Sequence, residues 1–183
     1  MAMVRGRLLV ATSAIQSGPF WRSVVYVLDH DEDGALGVIV NHPLESDVDE
    51  VLPEWADCVN APGCLFEGGP VAMDSALAVG VVSDVTSGPA GWRQMAGRVG
   101  LVDLEGPLPE GGELLGLRVF AGYAGWTPGQ LEAEIEEGAW LVLPAEEGDL
   151  LSPVPDRLWS EVLRRQPGET RFWSTLPVDP AQN

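Results

Sequence analysis

Residues 120–140, FAGYAGWTPGQLEAEIEEGAW, hold the densest set of groups able to do chemistry in the 183-residue chain. Gly122, Gly125 and Gly129 flank what reads as a strand-to-helix turn, where open amides and a positive dipole end hold a phosphate or carboxylate. The spacing is G-x-x-G-x-x-x-G rather than the dinucleotide fingerprint, and Pro128 offers no amide. The same glycines let Tyr123 and Trp126 fold back against a neighbouring strand. Packing is therefore the favoured reading of this corner, with anion binding as its rival.

The helix that follows is specified by several local signals. Thr127 stands three residues before Gln130, the spacing of a capping box in which the hydroxyl accepts from the Gln130 amide and the glutamine reaches back. Pro128 suits the first helical position, Trp126 and Leu131 can clasp as a staple, and Gly138 can take the left-handed stop, so a helix is predicted over 128–137. On it Glu132 and Glu136 share an outer face, whereas Glu134 lies nearer the apolar stripe. Arg118, inside an otherwise apolar strand, is the cation expected to meet Glu134 in a buried, structural pair.

Other reactive types are poorly grouped. His30 and His42 fall at opposite ends of one strand, too far apart at about 3.3 Å per residue to share a metal or relay a proton. No serine sits in a G-x-S-x-G elbow. Residues 29–34, DHDEDG, match the first half of an EF-hand loop, but Val40 stands where its closing acid is required. Cys58 and Cys64 have neither redox nor zinc spacing and are expected as thiols. Glu67-Gly68-Gly69-Pro70 reads as a turn where backbone nears backbone rather than an anion nest. No catalytic residue, metal ligand or cofactor is assigned.

Charge narrows the function classes. Twenty-eight acids stand against ten bases, all arginine, for a net charge of -18. Such a surface repels DNA and anionic membranes, and with no lysine there is neither a Schiff-base amine nor a P-loop cation. No apolar run approaches the roughly 20 residues of a membrane span. The first ten residues show no secretory pattern, so a cytoplasmic protein is expected.

The elements that must position these residues are mostly strands. Segments 7–12, 23–30, 35–41, 75–82, 114–121 and 139–143 are rich in branched and aromatic types, and Asp33-Gly34 turns 23–41 into a hairpin. Residues 44–62 read as irregular with a short helix near 48–52, and 83–89 and 97–112 as loops. The strand, helix, strand order across 114–143 predicts a parallel crossover, hence a mixed sheet. A last helix, 155–165, carries Leu158, Trp159, Val162 and Leu163 on one stripe, and Phe172 and Trp173 are positioned to pack beyond it.

The blocks GRLLVAT, PFWRSVVYVLDHDEDGALGVIVNHP, FEGGPV, RVFAGYAGWTPGQLEAEIEEGAW and the LW of the final helix together resemble the YqgE/AlgH family of bacterial proteins. The resemblance spans most of the chain, although Val79-Gly80 replaces the Leu-His pair of many members. It implies an α+β fold in one domain, 1–183, with a mixed sheet curled into a partial barrel and short helices outside; separately, the tail over 172–183 is expected to be loosely ordered. Some members have been labelled transcriptional regulators, and the family has no agreed activity. The expected role is a non-enzymatic regulatory module that binds a protein or a small ligand, with no membrane or direct nucleic-acid partner and an oligomeric state the sequence leaves open. Its alternatives are an enzyme acting on an anionic or nucleotide-like molecule, built on a pocket holding Arg118, Glu134 and His30, and a DNA-binding regulator. The candidate surface comprises Arg22, His30, Asn41, Gly68, Gly69, Tyr123, Trp126 and Gln130, expected to converge at one end of the sheet.

Overall fold

A computed structural model describes residues 3–175. Its centre is a run of strands whose side chains are apolar on both faces. In β1 (Arg7–Ala11) and β2 (Val24–Asp31), Leu8, Val10, Val24, Tyr26 and Leu28 face one core, while Leu9, Ala11, Val25 and Val27 face another. Alternation along a pleated strand sends neighbours to opposite faces, so continuous apolar runs here mean a sheet covered on both sides.

The hairpin between β2 and β3 (Gly34–Ile39) forms as the sequence predicts, closing on Asp31 opposite Gly34, with the Asp31 carboxylate accepting from the Asp33 amide at 2.8 Å. Beyond it the chain makes β4 (Pro43–Asp47), a single helical turn α1 (Val48–Val51), a 3₁₀ segment Pro53–Cys58 and β5 (Cys64–Glu67). Next come β6 (Val71–Val82), β7 (Trp92–Ala96) and β8 (Val99–Val102). The long β9 (Leu114–Trp126), α2 (Gln130–Glu136) and β10 (Trp140–Pro144) follow, then α3 (Glu147–Leu150) and α4 (Leu158–Arg164).

The strands lie in the order β10-β1-β2-β3-β9-β6-β8-β7, curled so that β7 approaches β2. β9 is the seam. Its last residues pair antiparallel with β3, its middle pairs parallel with β5, and its other edge carries β6. The β5–β9 pair makes the sheet mixed, as expected, though the partner differs from the one predicted. Strand β10 pairs with β1, and β9 and β10 point the same way only through four successive antiparallel steps along the row. The predicted crossover therefore spans three intervening strands rather than joining neighbours. Leu158, Trp159, Val162 and Leu163 of α4 cover one face with Leu150, Leu131 of α2 covers the other, and Trp55 and Val48 cap a third cluster over β5, β6, β8 and β9.

Three local expectations are corrected. The corner at 122–126 is strand, because β6 bulges at 72–75 and keeps Val71 paired with Tyr123. The supposed loop over 97–112 contains β8, which forms a hairpin with β7 across Gly97. The helix after Thr127 starts at Gln130, with 128–129 in a turn and Gly129 left-handed at the N-cap. Its end matches the prediction. Gly138 has φ 83°, its amide donates to the Ile135 carbonyl and the Ala139 amide to the Glu134 carbonyl, the paired bonds of a Schellman stop. Trp173 is half-buried against the α4 cluster and Phe172 is exposed; residues 176–183 of the expected tail lie outside the described ones.

Candidate functional site

The predicted site residues separate into four places. At the β2–β3 turn, His30 is buried, its Nδ1 accepts from the Val4 amide at 3.0 Å, and its Nε2 bonds the Glu132 carboxylate. Those two bonds place the proton on Nε2. The main-chain amide of Glu132 and then the imidazole hold that carboxyl below its ordinary range. Trp126 reaches the same end and donates from Nε1 to Glu134 Oε2 at 2.8 Å. Gln130 Oε1 accepts from the Thr127 amide at 3.0 Å and from its hydroxyl at 3.2 Å. Half of the capping box is thus present, and the threonine hydroxyl is turned to the glutamine instead of the helix amide.

Arg22 and Asn41 lie at the opposite end of β2 and β3. Asn41 is a clasp, its Oδ1 accepting from the Val24 amide at 2.8 Å and its Nδ2 donating to the Arg22 carbonyl at 2.9 Å. The Arg22 guanidinium stands over the Trp159 ring, 4.4 Å from its centre, and burial lowers its pKa. The expected convergence at one end of the sheet is therefore not found, because His30 and Asn41 terminate opposite ends of the same hairpin.

Gly68, Gly69 and Tyr123 mark a crossing of main chains between those ends. A Cβ at Gly68 would stand 2.3 Å from the Gly122 carbonyl oxygen, and one at Gly69 would stand 2.2 Å from the Tyr123 carbonyl carbon. No side chain fits in such a gap. The Gly68 amide donates to the Ala121 carbonyl at 3.0 Å and its carbonyl accepts from the Ile39 amide at 2.8 Å, which is where β5 takes over from β3 along β9.

Arg118 does not meet Glu134. It is 1% exposed, its Nη1 donates to the Leu150 and Ser152 carbonyls at 3.2 and 3.0 Å, and its Nη2 donates to the Ala61 carbonyl at 2.7 Å. The cause is strand geometry: Arg118 points to the face covered by Phe66 and the 150–152 turn, while Glu134 rides on α2 against the other core and takes the Trp126 indole. Burial draws the guanidinium pKa down to about 10. The pocket combining Arg118, Glu134 and His30 does not form.

The nearby thiols and imidazole add no nucleophile or base pair. Cys58 and Cys64 are free, and burial pushes both thiols up in pKa. Burial pushes the His42 imidazole down against the opposing pull of Glu67. Among the described residues no group of three His, Cys, Asp or Glu side chains is arranged to hold a metal. No described helix is long and apolar enough to cross a membrane.

A cleft that sequence reading misses lies between β2, the β7–β8 turn and α3. It has a volume of about 330 Å³ and is lined by the apolar Val81, Val99 and Leu150 together with the charged Arg5, Arg98, Glu146 and Glu147. Tyr26 forms part of the lining. The residue is 6% exposed, and among the described residues no hydrogen bond reaches its hydroxyl. The phenol carries a pKa pushed up to about 12 by burial, so at neutral pH it keeps its proton and can both donate and accept. Arg5 pairs with Asp29 and Arg98 with Glu147, pairs in which both partners are well exposed. Behind the wall, Arg165 binds Asp149 in a fork at 2.7 and 2.9 Å and Glu146 at 2.8 Å, fixing the short α3 turn. Nothing in the sequence distinguishes Tyr26 from the valines beside it, and Arg5 and Arg98 stand far apart along the chain.

Comparison with known proteins extends over nearly the whole chain. A model of the AlgH-like family matches residues 8–171. A UPF0301 protein of Streptomyces coelicolor is 53% identical over 187 residues, covering 100% of this chain and 97% of that protein. Another, from Thermobifida fusca, is 48% identical across 97% of this chain and 94% of its own length. A crystal structure of a Corynebacterium diphtheriae protein superposes with a TM-score of 0.88 at 36% identity, covering 96% of this chain and 93% of that one. The solution structure of AlgH from Pseudomonas aeruginosa shares the fold, with a TM-score of 0.68 at 24% identity and coverage of 97% and 96%.

Proposed function

We propose that this chain, which belongs to the AlgH-like family, is a non-enzymatic cytoplasmic module that recognises a small ligand in the cleft lined by Tyr26. One observation carries the reading. Tyr26 keeps its ring buried yet lines an open cleft, where its hydroxyl is left to water or to whatever enters.

Binding without turnover is supported by the fate of the reactive groups. The His30 nitrogens are both engaged in structural bonds, Arg118 is spent on three carbonyls, and Glu134 holds an indole. A general acid or base must reach substrate, and these groups face protein. The acidic surface, net -18, disfavours a polyanionic partner and fits a role in which regulation passes through a small molecule rather than direct contact with DNA.

A thermal-shift screen of metabolites and nucleotides tests this. A ligand at one hundred times its Kd stabilises the native state by about 2.7 kcal/mol, a rise of about 5–10 °C for a chain of this size. The expected result is a compound that gives such a rise in the natural protein, much less in Tyr26→Phe, and is recovered chemically unchanged. Conversion of the compound, or a complete screen without a Tyr26-dependent shift, overturns the proposal.

A further inference from the structure

We infer that the Tyr26 cleft selects small amphipathic carboxylates, holding the acid head with the Tyr26 hydroxyl and the guanidinium groups of Arg5 and Arg98 while the apolar body lies along Val81, Val99 and Leu150. The inference rests on the binding role proposed above and specifies the chemistry of the occupant.

The lining sets charged side chains beside apolar ones, so it suits an occupant with a polar head and an apolar body that covers Val81, Val99 and Leu150. The cleft is at the small end of ligand sites, so that body is short. The head is set by what the polar groups offer. The Tyr26 hydroxyl can donate, and it shares the lining with Arg5 and Arg98 as well as with Glu146 and Glu147. Two of the ten cations in a chain with twenty-eight acids stand at this one margin. Neither is permanently occupied in an energetic sense. Asp29 is 38% and Glu147 57% exposed, and exposed pairs of this kind contribute little, so a ligand carboxylate can take a guanidinium while the displaced acid returns to water.

The acids at the same margin do not make an equivalent amine site. Glu146 is held by Arg165, which is itself anchored on the buried Asp149, so Glu147 is the one acid of the lining open to an amine, against the two guanidinium groups and the Tyr26 hydroxyl that serve a carboxylate. A cationic head would have to compete with Arg98 for Glu147 or with Arg165 for Glu146. A neutral head would take the Tyr26 bond and leave the arginines unchanged. The selectivity expected is therefore carboxylate over alcohol over amine.

Octanoate, octanol and octylamine, with one chain length and three heads, separate these cases when titrated into the full protein and followed by calorimetry and amide NMR shifts. The expected result is octanoate binding about tenfold tighter than octanol, with octylamine weaker still and octanoate affinity falling as salt is added. Tyr26→Phe should weaken octanoate about tenfold, and Arg98→Gln, at a 40% exposed side chain that leaves the core untouched, about fivefold with little effect on octanol. Equal binding of octanoate by the natural protein and both variants overturns the inference, as does failure of octanoate to bind. If octanol or octylamine matches octanoate and still depends on Tyr26, carboxylate selection falls and the small-ligand reading survives. Should Tyr26→Phe fail to fold, the Arg98→Gln comparison decides the matter alone.

Discussion

The Arg118 guanidinium carbon lies 4.3 Å from the centre of the Phe66 ring, so the buried cation is stacked on an aromatic face while its donors go to main-chain carbonyls. It ties together three remote segments: the 61 turn, β9 and the 150–152 turn. Replacement by methionine leaves the buried Leu150 and Ser152 carbonyls and the part-buried Ala61 carbonyl unserved, and lysine cannot span them. Arg118→Met and Arg118→Lys should each cost about 3 kcal/mol, read as a fall in the urea midpoint without loss of ligand-site charge. A change below about 0.5 kcal/mol would remove the clasp from the account.

Trp126 and Trp140 pack edge-on at 6.1 Å, yet only one of the two indoles has a partner: Trp126 donates to Glu134, whereas the buried Trp140 Nε1 has none. Phenylalanine at 126 forfeits a hydrogen bond to a carboxylate; phenylalanine at 140 discards an orphan donor. Trp126→Phe should therefore destabilise by about 1–2 kcal/mol more than Trp140→Phe in matched denaturant melts. The reverse order would show that volume, not hydrogen bonding, dominates this aromatic cluster.

At the start of α2 the working group is Gln130, whose side-chain oxygen receives the Thr127 amide. The threonine hydroxyl meets only that glutamine side chain. Gln130→Ala should cost about 1 kcal/mol and Thr127→Ala less than half of that, an order opposite to the one a complete capping box would give. Thermal melts of the two single variants suffice to rank them.

The chain has two tyrosines, Tyr26 and Tyr123. Burial raises the Tyr26 phenol from 10.0 to about 12, so its unfolded form releases a proton at lower pH than its folded form. The associated stability is present below pH 10 and is lost as pH rises through the folded value. An ultraviolet titration of the native protein should show a phenolate step near pH 12 that disappears in Tyr26→Phe. A Tyr26-dependent step at pH 10 instead would show that burial does not hold this phenol. Acid acts in the opposite sense at Glu132: its depressed carboxyl contributes stability above its unfolded pKa that is lost as pH falls, and Glu132→Gln should flatten that acid limb.

Much of the framework is legible in the sequence because the deciding forces are local. The Asp31 to Gly34 reversal, the Leu158 to Leu163 stripe and the Gly138 stop all depend on residues a few positions apart, and the structure contains each of them. The long match of chain blocks to one family also anticipates the curled α+β fold. What fails is decided at a distance. Arg118 could be paired with Glu134 on paper because nothing near either residue reveals the carbonyls of Ala61, Leu150 and Ser152. The glycine corner at 122–125 reads as a turn because the bulge in β6 that keeps it in a strand lies some fifty residues upstream. Tyr26 is invisible for the same reason, since only the assembled fold shows that it lines a cleft.

The thirteen residues of β9 mate with β3, β5 and β6, all of which precede them in the chain. On the ribosome, the N-terminal strands must therefore wait, unmated along those borders, until the 114–126 segment emerges. A nascent chain stalled before that point would present sticky ribbon margins to chaperones, and completion of the fold would follow one late zippering event rather than a succession of independent modules.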